Sequence, residues 1–402
     1  MDYIIAVDGN LTSFVFYNEV LAQLHNYFTE NNQSRILFDF SLVKMIDPLV
    51  LPNLLCTGFW ISNHRSIPAK IFIPGSQTFA SLRTFLDRTR FVELAQTYNL
   101  FEFDDSISGG LKETAFHTTL NRLELFQIAY KPMKGHTAGG ADLQPEIDVE
   151  QTKAKVWSQL KSSFVPFINE FLIKNTDEYI LAHKKGISSD LLSFCRELIE
   201  NALLHGLSFC FLNMQYSTSF GKRIKISISD CGMGFKRSIN ADRSRSQQIL
   251  ALQQHLMEPC TEEEREHMEG QIKELLHRCY ELKQELARDD VKRLANYPYL
   301  NTELEGIVYG LLSRRSKPYG LYNIHHKIIH SMGGTIRIHS NDTQLILSRR
   351  MWAPLGVSQT PESLLAQLAN KQYTTNVRTG LMFKGTHIEM EFMLNEQGES
   401  FV

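Results

Sequence analysis

The sequence has no apolar run that approaches the roughly 20 residues needed to span a bilayer. Its first residues lack the basic stretch and apolar core of a secretory signal peptide. It also has little net charge, −2 from 42 basic and 44 acidic side chains, so no overall attraction draws it to nucleic acid or to an anionic membrane. We therefore expect a cytoplasmic protein that makes no membrane contact and does not bind nucleic acid.

Cysteine is scarce, with six residues in a chain of 402. No two of them have CxxC spacing, which argues against a disulfide framework and against a zinc site. Hydrophobic residues make up 43% of the chain and charged residues 21%, which is ordinary for a globular protein with a sizeable core. The length predicts two or three domains.

The first hundred residues alternate between strand and helix patterns. Strands are predicted at 3–7, 14–16, 36–40 and 70–73, and helices at 49–61, where a buried helix fits, and at 77–86. Such alternation predicts a small α/β domain, which we place at residues 1–104. The small and polar stretch at 134–142 predicts a linker, so we assign residues 105–150 to a connecting segment.

Within the first domain, Ile36-Leu37-Phe38-Asp39-Phe40-Ser41 and Met45-Ile46-Asp47-Pro48-Leu49 resemble the corresponding part of STAS domains, the fold of anti-sigma factor antagonists. The resemblance implies a module that binds a protein partner. Members of that family often have a phosphorylatable serine at the start of the following helix, but here no serine or threonine occurs in residues 48–53. A generic α/β interaction module is the alternative.

The strongest chemical motif is the stretch 197–206, which predicts a helix that ends at Gly206. Glu197, Asn201 and His205 recur every four residues and form one polar stripe, which is costly to bury without partners. A metal-bound triphosphate would supply them. Asn201 can offer its carbonyl oxygen to Mg²⁺, Glu197 can activate a nucleophile, and His205 can donate to a phosphate oxygen. The alternative is an amphipathic helix with a polar outer face.

A second motif follows the predicted strand 224–229, in which apolar and polar residues alternate. Asp230 at the strand end can accept a hydrogen bond from an adenine amino group. Gly232 and Gly234 allow the backbone to approach a ligand closely and to adopt positive φ. The alternative is a tight turn after an edge strand.

A third motif is the turn at Gly320, from which a helix is predicted to run to about Met332 before a strand at 335–340. Free N–H groups at a helix start favour phosphate. The basic residues before the turn, including Lys317, could meet the γ-phosphate, or they could form a solvated loop. A fourth, weaker motif is Gly385-Thr386 at the start of an alternating strand, where Thr386 could support Asp230.

The order of these four motifs resembles the GHKL superfamily of ATPases, which includes gyrase, heat-shock chaperones and sensor histidine kinases. The resemblance implies a Bergerat-type α/β sandwich over residues 151–402 that binds ATP and Mg²⁺. It places Glu197 and Asn201 in the N box, with Asn201 as the Mg²⁺ ligand. It places Asp230, Gly232 and Gly234 in the first glycine box, Gly320 and Leu321 in the second, and Gly385 and Thr386 in the third. Pro318 stands where that second box often has its first glycine.

The form of the first motif, ExxxNAxxHG, looks most like the anti-sigma serine kinases, which act with STAS partners. The resemblance therefore implies ATP-dependent signalling, either by ATP hydrolysis or by phosphoryl transfer to a partner's hydroxyl, with Glu197 as the base. An alternative is a nucleotide-gated interaction switch with negligible catalysis. A DNA clamp is disfavoured because the chain lacks a basic bias.

The interval between Phe235 and Gly320 is longer than a simple ATP lid requires, and we expect a helical insertion at about 240–300. Thr261-Glu262-Glu263-Glu264 reads as a capping box. A coiled-coil-like seam follows, formed by Met268, Ile272, Leu275, Cys279, Leu282 and Leu286. The pattern leaves open whether this helix packs within the chain as a hairpin or against a partner, including a second copy in a homodimer.

Overall fold

The computed structural model contains two β-sheets with helices between and around them. It describes residues 2–30, 32–74, 80–103, 123–130, 149–173, 178–204, 208–217, 223–278, 288–312, 321–348, 360–369 and 377–393. One sheet has four parallel strands and the other has five antiparallel strands. The chain is therefore a mixed α/β protein, as the sequence predicts. None of the described helices combines the length and the apolar character needed to cross a bilayer.

The N-terminal sheet has the strand order β1-β2-β3-β4. Parallel neighbours need crossover connections, and helices supply them here. In β1, Ile5 and Val7 are buried while Ile4, Ala6 and Asp8 are exposed, as expected for a strand with one covered face. The strands are β1 (Tyr3–Leu11), β2 (Ile36–Ile46), β3 (Ala69–Phe72) and β4 (Phe101–Phe103). The helices are α1 (Ser13–Val15, a π-helical turn at Phe16–Val20, and Leu21–Thr29), α2 (Leu51–Arg65), α3 (Ala80–Arg88) and α4 (Phe91–Thr97).

One strand predicted from the sequence is wrong, because residues 14–16 are helical. The Thr12 hydroxyl accepts a hydrogen bond from the Val15 N–H at 3.4 Å and so caps the start of α1. Phe16, Val20 and Leu24 follow at four-residue spacing and are buried. Three apolar residues fit either a strand or a helix pattern. The cap and the four-residue spacing of the buried residues indicate a helix.

Helix α2 is buried, as the sequence predicts. Asp47 accepts a hydrogen bond from the Leu49 N–H at 3.1 Å at the N-terminus, where a 3₁₀ turn over Pro48–Val50 leads into the helix. Buried residues occur on several sides of the axis, and they include the polar Asn53 and Thr57. The cause is that α2 packs against strands of both sheets.

The C-terminal sheet has the order β5-β6-β7-β9-β8. Its first strand lies inside the predicted connecting segment and pairs with β6 from Leu123 to Tyr130, so residues 123–130 belong to this sheet. The sequence reasoning missed this strand because its apolar residues do not alternate strictly. The remainder of residues 105–148 lies outside the described residues. The strands are β5 (Leu123–Tyr130), β6 (Cys210–Ser217), β7 (Arg223–Asp230), β8 (Thr335–Ser348) and β9 (Val377–Met393).

Helices cover one face of the C-terminal sheet and form its main core with it. The alternation of β7 is confirmed, since Ile224, Ile226 and Ile228 all point into this core. The helices are α5 (Val149–Gln159, a π-helical turn at Leu160–Phe164, and Val165–Ile173), α6 (Glu178–Leu204), α11 (Leu321–His326, continued by a π-helical turn at Lys327–Ser331) and α12 (Pro361–Ala369).

The other face of the C-terminal sheet is covered by the N-terminal domain. The core of that domain extends across the boundary to include Phe211, Cys231 and Phe383. Lys225 on β7 forms a 2.9 Å ion pair with Asp47 at the start of α2. We call this boundary the interdomain seam.

The centre of the interdomain seam is polar and is organised by Asn53. Its side-chain amide donates to Tyr17 Oη at 3.0 Å and to Glu389 Oε1 at 3.1 Å, and its carbonyl oxygen accepts from the Ser229 hydroxyl at 2.5 Å. Arg337 pairs with Glu389 at 2.9 Å. Each of these buried groups has its partner in the other domain or beside it. Each domain therefore needs the other to satisfy its buried polar groups.

The predicted insertion is helical and packs within the chain. It consists of α7 (Gly234–His255), α8 (Glu262–Arg278), α9 (Arg288–Ala295) and α10 (Glu303–Leu312). Ile272 and Leu275 of the predicted coiled-coil-like seam pack on a small core around Ile249. Within the described residues, α8 therefore packs within the chain as a hairpin. The capping box is confirmed, because the Glu264 N–H donates to Thr261 Oγ1 at 3.3 Å and the Thr261 N–H to Glu264 Oε2 at 2.9 Å. Cys279, Leu282 and Leu286 of that coiled-coil-like seam fall in residues 279–287, which lie outside the described residues.

Candidate functional site

A cavity lies between α6, the end of β7, the middle of β9, the start of α11 and the insertion helices α7, α9 and α10. Five predicted site residues line it: Asn201, Asp230, Gly234, Leu321 and Thr386. Glu197 and Gly232 are not among the lining residues. His205, Lys317 and Gly320 lie outside the described residues. Motifs distant along the chain therefore meet at one cavity.

Asp230 ends β7 and is almost fully buried, with 3% of its surface exposed. Its Oδ1 accepts hydrogen bonds from the Gly232 N–H at 2.7 Å and from the Thr386 N–H at 3.3 Å. Burial raises the pKa of Asp230 to about 7, because desolvation outweighs these two bonds. Thr386 thus supports Asp230, as expected, and it does so through its backbone.

The conformation and contacts of the glycines around Asp230 differ from those predicted for Gly232 and Gly234. Gly234 has φ +79° but Gly232 is not among the residues with positive φ, so the left-handed conformation belongs to Gly234 alone in that pair. A Cβ at Gly234 would overlap the side chains of Asn341 and Glu303. A Cβ at Gly385, where φ is +103°, would overlap the carbonyl oxygen of Asp230. The close approach that these glycines permit is to the protein itself, that of Gly234 to the side chains of Asn341 and Glu303 and that of Gly385 to the backbone of Asp230.

The N-terminus of α7, directly after the glycine turn, is filled by a carboxylate of the chain. Glu303 Oε2 accepts from the Lys236 N–H at 3.0 Å and from the Ser340 hydroxyl at 3.2 Å, and Glu303 Oε1 accepts from the Asn341 amide. The Phe235 N–H donates to Ser340 Oγ at 3.1 Å. Since a negative group already satisfies these donors, this helix end is not a phosphate site.

Helix α6 presents Asn201 to the cavity. Its amide nitrogen donates to Glu197 Oε1 at 3.2 Å, one helical turn away. Its carbonyl oxygen is buried and has no hydrogen-bond partner among the described residues. Leu198 and Ala202 flank Asn201 on the cavity wall, and Ile199 lies in the core. A buried amide oxygen at a cavity wall is a position that a cation or a donor group of a ligand would satisfy.

The helix predicted after Gly320 is confirmed over its described length. It begins at Leu321, which lines the cavity, and it ends in a π-helical turn before Met332. His325 on this helix is a core residue, and burial lowers its pKa to about 3. Among the described residues, no cluster of three histidine, cysteine or acidic side chains could hold a metal ion through protein groups alone.

The insertion helices supply a wall of the cavity that sequence reasoning missed. These residues are Phe235, Ser238, Ile239 and Asp242 from α7, Leu294 and Tyr297 from α9 and the turn after it, and Gly310 from α10. No local motif marks them, and only the spacing of the α7 residues, all on one helical face, is visible in the sequence.

The site thus combines one buried carboxylate, one buried amide oxygen that lacks a partner, and walls that are largely apolar. Such a cavity can hold a flat apolar group through its walls and fix it with a donor to Asp230. Comparison of the chain with protein-family models, with curated proteins and with solved structures gave no match.

Proposed function

We propose that this chain binds ATP with Mg²⁺ in the cavity, through a GHKL-type domain. The observation that carries the proposal is the joint presence of Asp230 and the partnerless oxygen of Asn201 on one apolar cavity. Asp230 accepts the adenine amino group, the apolar wall holds the ring, and Asn201 faces the metal-bound phosphates. The order of α6, β7 and β9 around the cavity agrees with the arrangement that the GHKL resemblance implies.

The hydrogen bonds of Asp230 favour adenine over guanine. Both backbone donors reach Oδ1, which directs a ligand to Oδ2. Adenine presents one amino group at that edge and needs one acceptor. Guanine presents two adjacent N–H donors, which pair best with both oxygens of a carboxylate. A carboxylate with one oxygen already occupied therefore favours adenine, which presents a single donor, over guanine, which presents two.

Asn201 fits a magnesium site that is shared with the nucleotide. Mg²⁺ prefers oxygen ligands and is commonly held by one or two protein groups together with substrate phosphates and water. When bound, it would neutralise charge on the phosphate oxygens. The Glu197 carboxylate accepts from the amide nitrogen of Asn201, which fixes the orientation of a side chain that lines the cavity and leaves its carbonyl oxygen available for a ligand.

Two outcomes for the bound nucleotide are compatible with the site. In the first, Glu197 accepts a proton from water or from a partner's serine, and the protein is a slow ATPase or a protein kinase. In the second, the protein is a nucleotide-gated interaction switch with negligible catalysis. The contact of Glu197 with Asn201 and its absence from the cavity lining favour the second outcome.

We propose a STAS-like role for the N-terminal domain, as a module that binds a protein partner. The strand, aspartate and helix order of β2, Asp47 and α2 supports this proposal. Because α2 packs on the C-terminal sheet, such a partner would bind elsewhere on the domain, on the insertion helices, or as a second copy of the chain.

Isothermal calorimetry on the full chain with Mg²⁺ tests the proposal. ATP should bind the wild type, GTP should bind at least about tenfold more weakly, and Asp230→Asn and Asn201→Ala should each weaken ATP binding by about 10- to 100-fold. Absence of ATP binding to the wild type would overturn it. Turnover that disappears in Glu197→Ala identifies the enzyme, and unchanged or absent turnover identifies the switch.

A further inference from the structure

The cavity wall formed by α7 carries two polar residues, Ser238 and Asp242, that take no part in the proposed contacts with base, metal and phosphate. Phe235, Ser238, Ile239 and Asp242 line the cavity at relative spacings of three, four and seven residues, which is one helical face. The side chain of Asp242 is only 9% exposed. It is the second nearly buried carboxylate in this cavity, after Asp230.

Asp242 is held in place from the side of its own helix. Arg245 Nη1 lies 3.1 Å from Asp242 Oδ1, and Arg245 is partly exposed. The ion pair makes a buried carboxylate tolerable, and the oxygens of a carboxylate are hydrogen-bond acceptors. Two carboxylates also make this part of the cavity unfavourable for phosphate, which directs the phosphates towards α6 and α11.

The chemistry of an adenine nucleotide limits what Asp242 can bind. Apart from the amino group, which Asp230 accepts in the proposed function, its only hydrogen-bond donors are the two ribose hydroxyls. The spacing agrees with this assignment. An α-helix rises 1.5 Å per residue, so Ser238 and Asp242 lie about 6 and 12 Å along the α7 axis from Gly234, on the scale of a nucleoside.

We propose that Asp242 recognises ribose, with Ser238 beside it, and that the cavity selects ribonucleotides over deoxyribonucleotides. This inference rests on the proposed binding of ATP. A buried carboxylate that accepts from a sugar hydroxyl discriminates against a ligand that lacks the hydroxyl, because that hydrogen bond is then lost.

Calorimetry with Mg²⁺ and three ligands, ATP, 2′-deoxy-ATP and 3′-deoxy-ATP, tests the inference on the full chain. The wild type should bind ATP about 10- to 100-fold more tightly than at least one deoxy analogue. Asp242→Asn should bind ATP more weakly and lose that preference. Arg245→Gln is the control, because it removes the ion pair and keeps the carboxylate, and it should retain the preference.

Four outcomes would overturn the inference. One is a wild type that binds all three ligands alike, a comparison that needs no variant to fold. Another is a loss of preference in Arg245→Gln equal to that in Asp242→Asn. Because Arg245→Gln keeps the carboxylate, this would mean that both substitutions act by disturbing the local structure and not by removing a hydrogen-bond acceptor. A third is that Asp242→Asn changes the discrimination against N6-methyl-ATP and leaves the preference for ATP over the deoxy analogues intact. Asp242 would then contact the base and not the ribose. Failure of the wild type to bind ATP at all refutes the proposed function as well, so the two failures are distinguishable.

Discussion

At the scale of single residues, burial changes the titration of Asp230, which lines the cavity. Its pKa of about 7 in the folded protein compares with 3.8 for a free side chain. A carboxyl group whose pKa is raised on folding stabilises the fold while it is protonated. That contribution is present below about pH 4 and is lost as the pH rises through about 7.

Asp230→Asn should therefore stabilise the protein without nucleotide at neutral and alkaline pH. Asparagine keeps an oxygen for the N–H groups of Gly232 and Thr386 and carries no charge to desolvate. At pH 8 the free energy of unfolding should rise by up to about 4 kcal/mol, and the gain should shrink towards pH 4. Urea denaturation at both pH values measures this. A gain of equal size at both would show that charge burial is not its cause.

A comparison of substitutions at Gly385 and Gly380 separates the effect of backbone strain from that of steric overlap. Both have φ near +105°, at +103° and +107°. A Cβ at Gly380 meets nothing within 4 Å, whereas one at Gly385 overlaps the backbone of Asp230. Gly385→Ala should cost about 2–4 kcal/mol more stability than Gly380→Ala in urea denaturation, because the overlap adds to the same strain. Equal costs would mean that β9 can move away from β7.

The residues that sequence reasoning found and those that it missed differ in the range of their interactions. Asp230 and Asn201 stand in local patterns, at a strand end and on a helical stripe, and the structure brings both to the cavity. The role of Glu303, and the position of Asp242 in the cavity wall, depend on packing between segments far apart in sequence. No local periodicity could have assigned Glu303 to the start of α7.

At the scale of elements, the start of α7 depends on a neighbouring helix. Glu303 accepts hydrogen bonds from the Lys236 N–H, the Ser340 hydroxyl and the Asn341 amide. Glu303→Ala leaves several buried donors without a partner and should lower the free energy of unfolding by about 2–4 kcal/mol. Urea denaturation measures the loss.

Glu305 is the matched control for Glu303, since it lies on the same helix and also caps a helix start. It accepts from the Asn301 and Thr302 N–H groups at the exposed start of α10. Water can replace it there, so Glu305→Ala should cost about 1 kcal/mol or less. If both variants lost the same stability, the buried network around Glu303 would contribute no more than an ordinary cap.

Element prediction succeeded where the pattern was consistent and failed where it was short or irregular. Helix α2, strand β7 and the capping box of α8 were all predicted, because each extends a consistent pattern over several residues. Residues 14–16 and β5 were missed, because three apolar residues fit either period and an irregular strand fits neither. The choice between hairpin and partner for α8 needed the packing itself.

At the scale of the whole molecule, the interdomain seam makes the two sheets one folding unit. Helix α2 packs on both sheets, and Asn53 within it bonds to Ser229 and Glu389 of the C-terminal sheet. If the N-terminal domain separated, these buried polar groups and the apolar surfaces around Phe211 and Phe383 would be exposed. That cost favours cooperative unfolding over stepwise unfolding.

Two tryptophans placed on either side of the seam can report this cooperativity. Trp60 lies on α2 and Trp157 on α5. A variant that keeps only Trp60 and another that keeps only Trp157, each with the other two of the chain's three tryptophans changed to phenylalanine, should show the same urea midpoint by fluorescence. Asn53→Ala should lower both midpoints together, because each sheet loses a buried partner. A Trp60 transition at clearly lower urea than that of Trp157 would mean that the N-terminal domain unfolds on its own and that the seam is a weak contact.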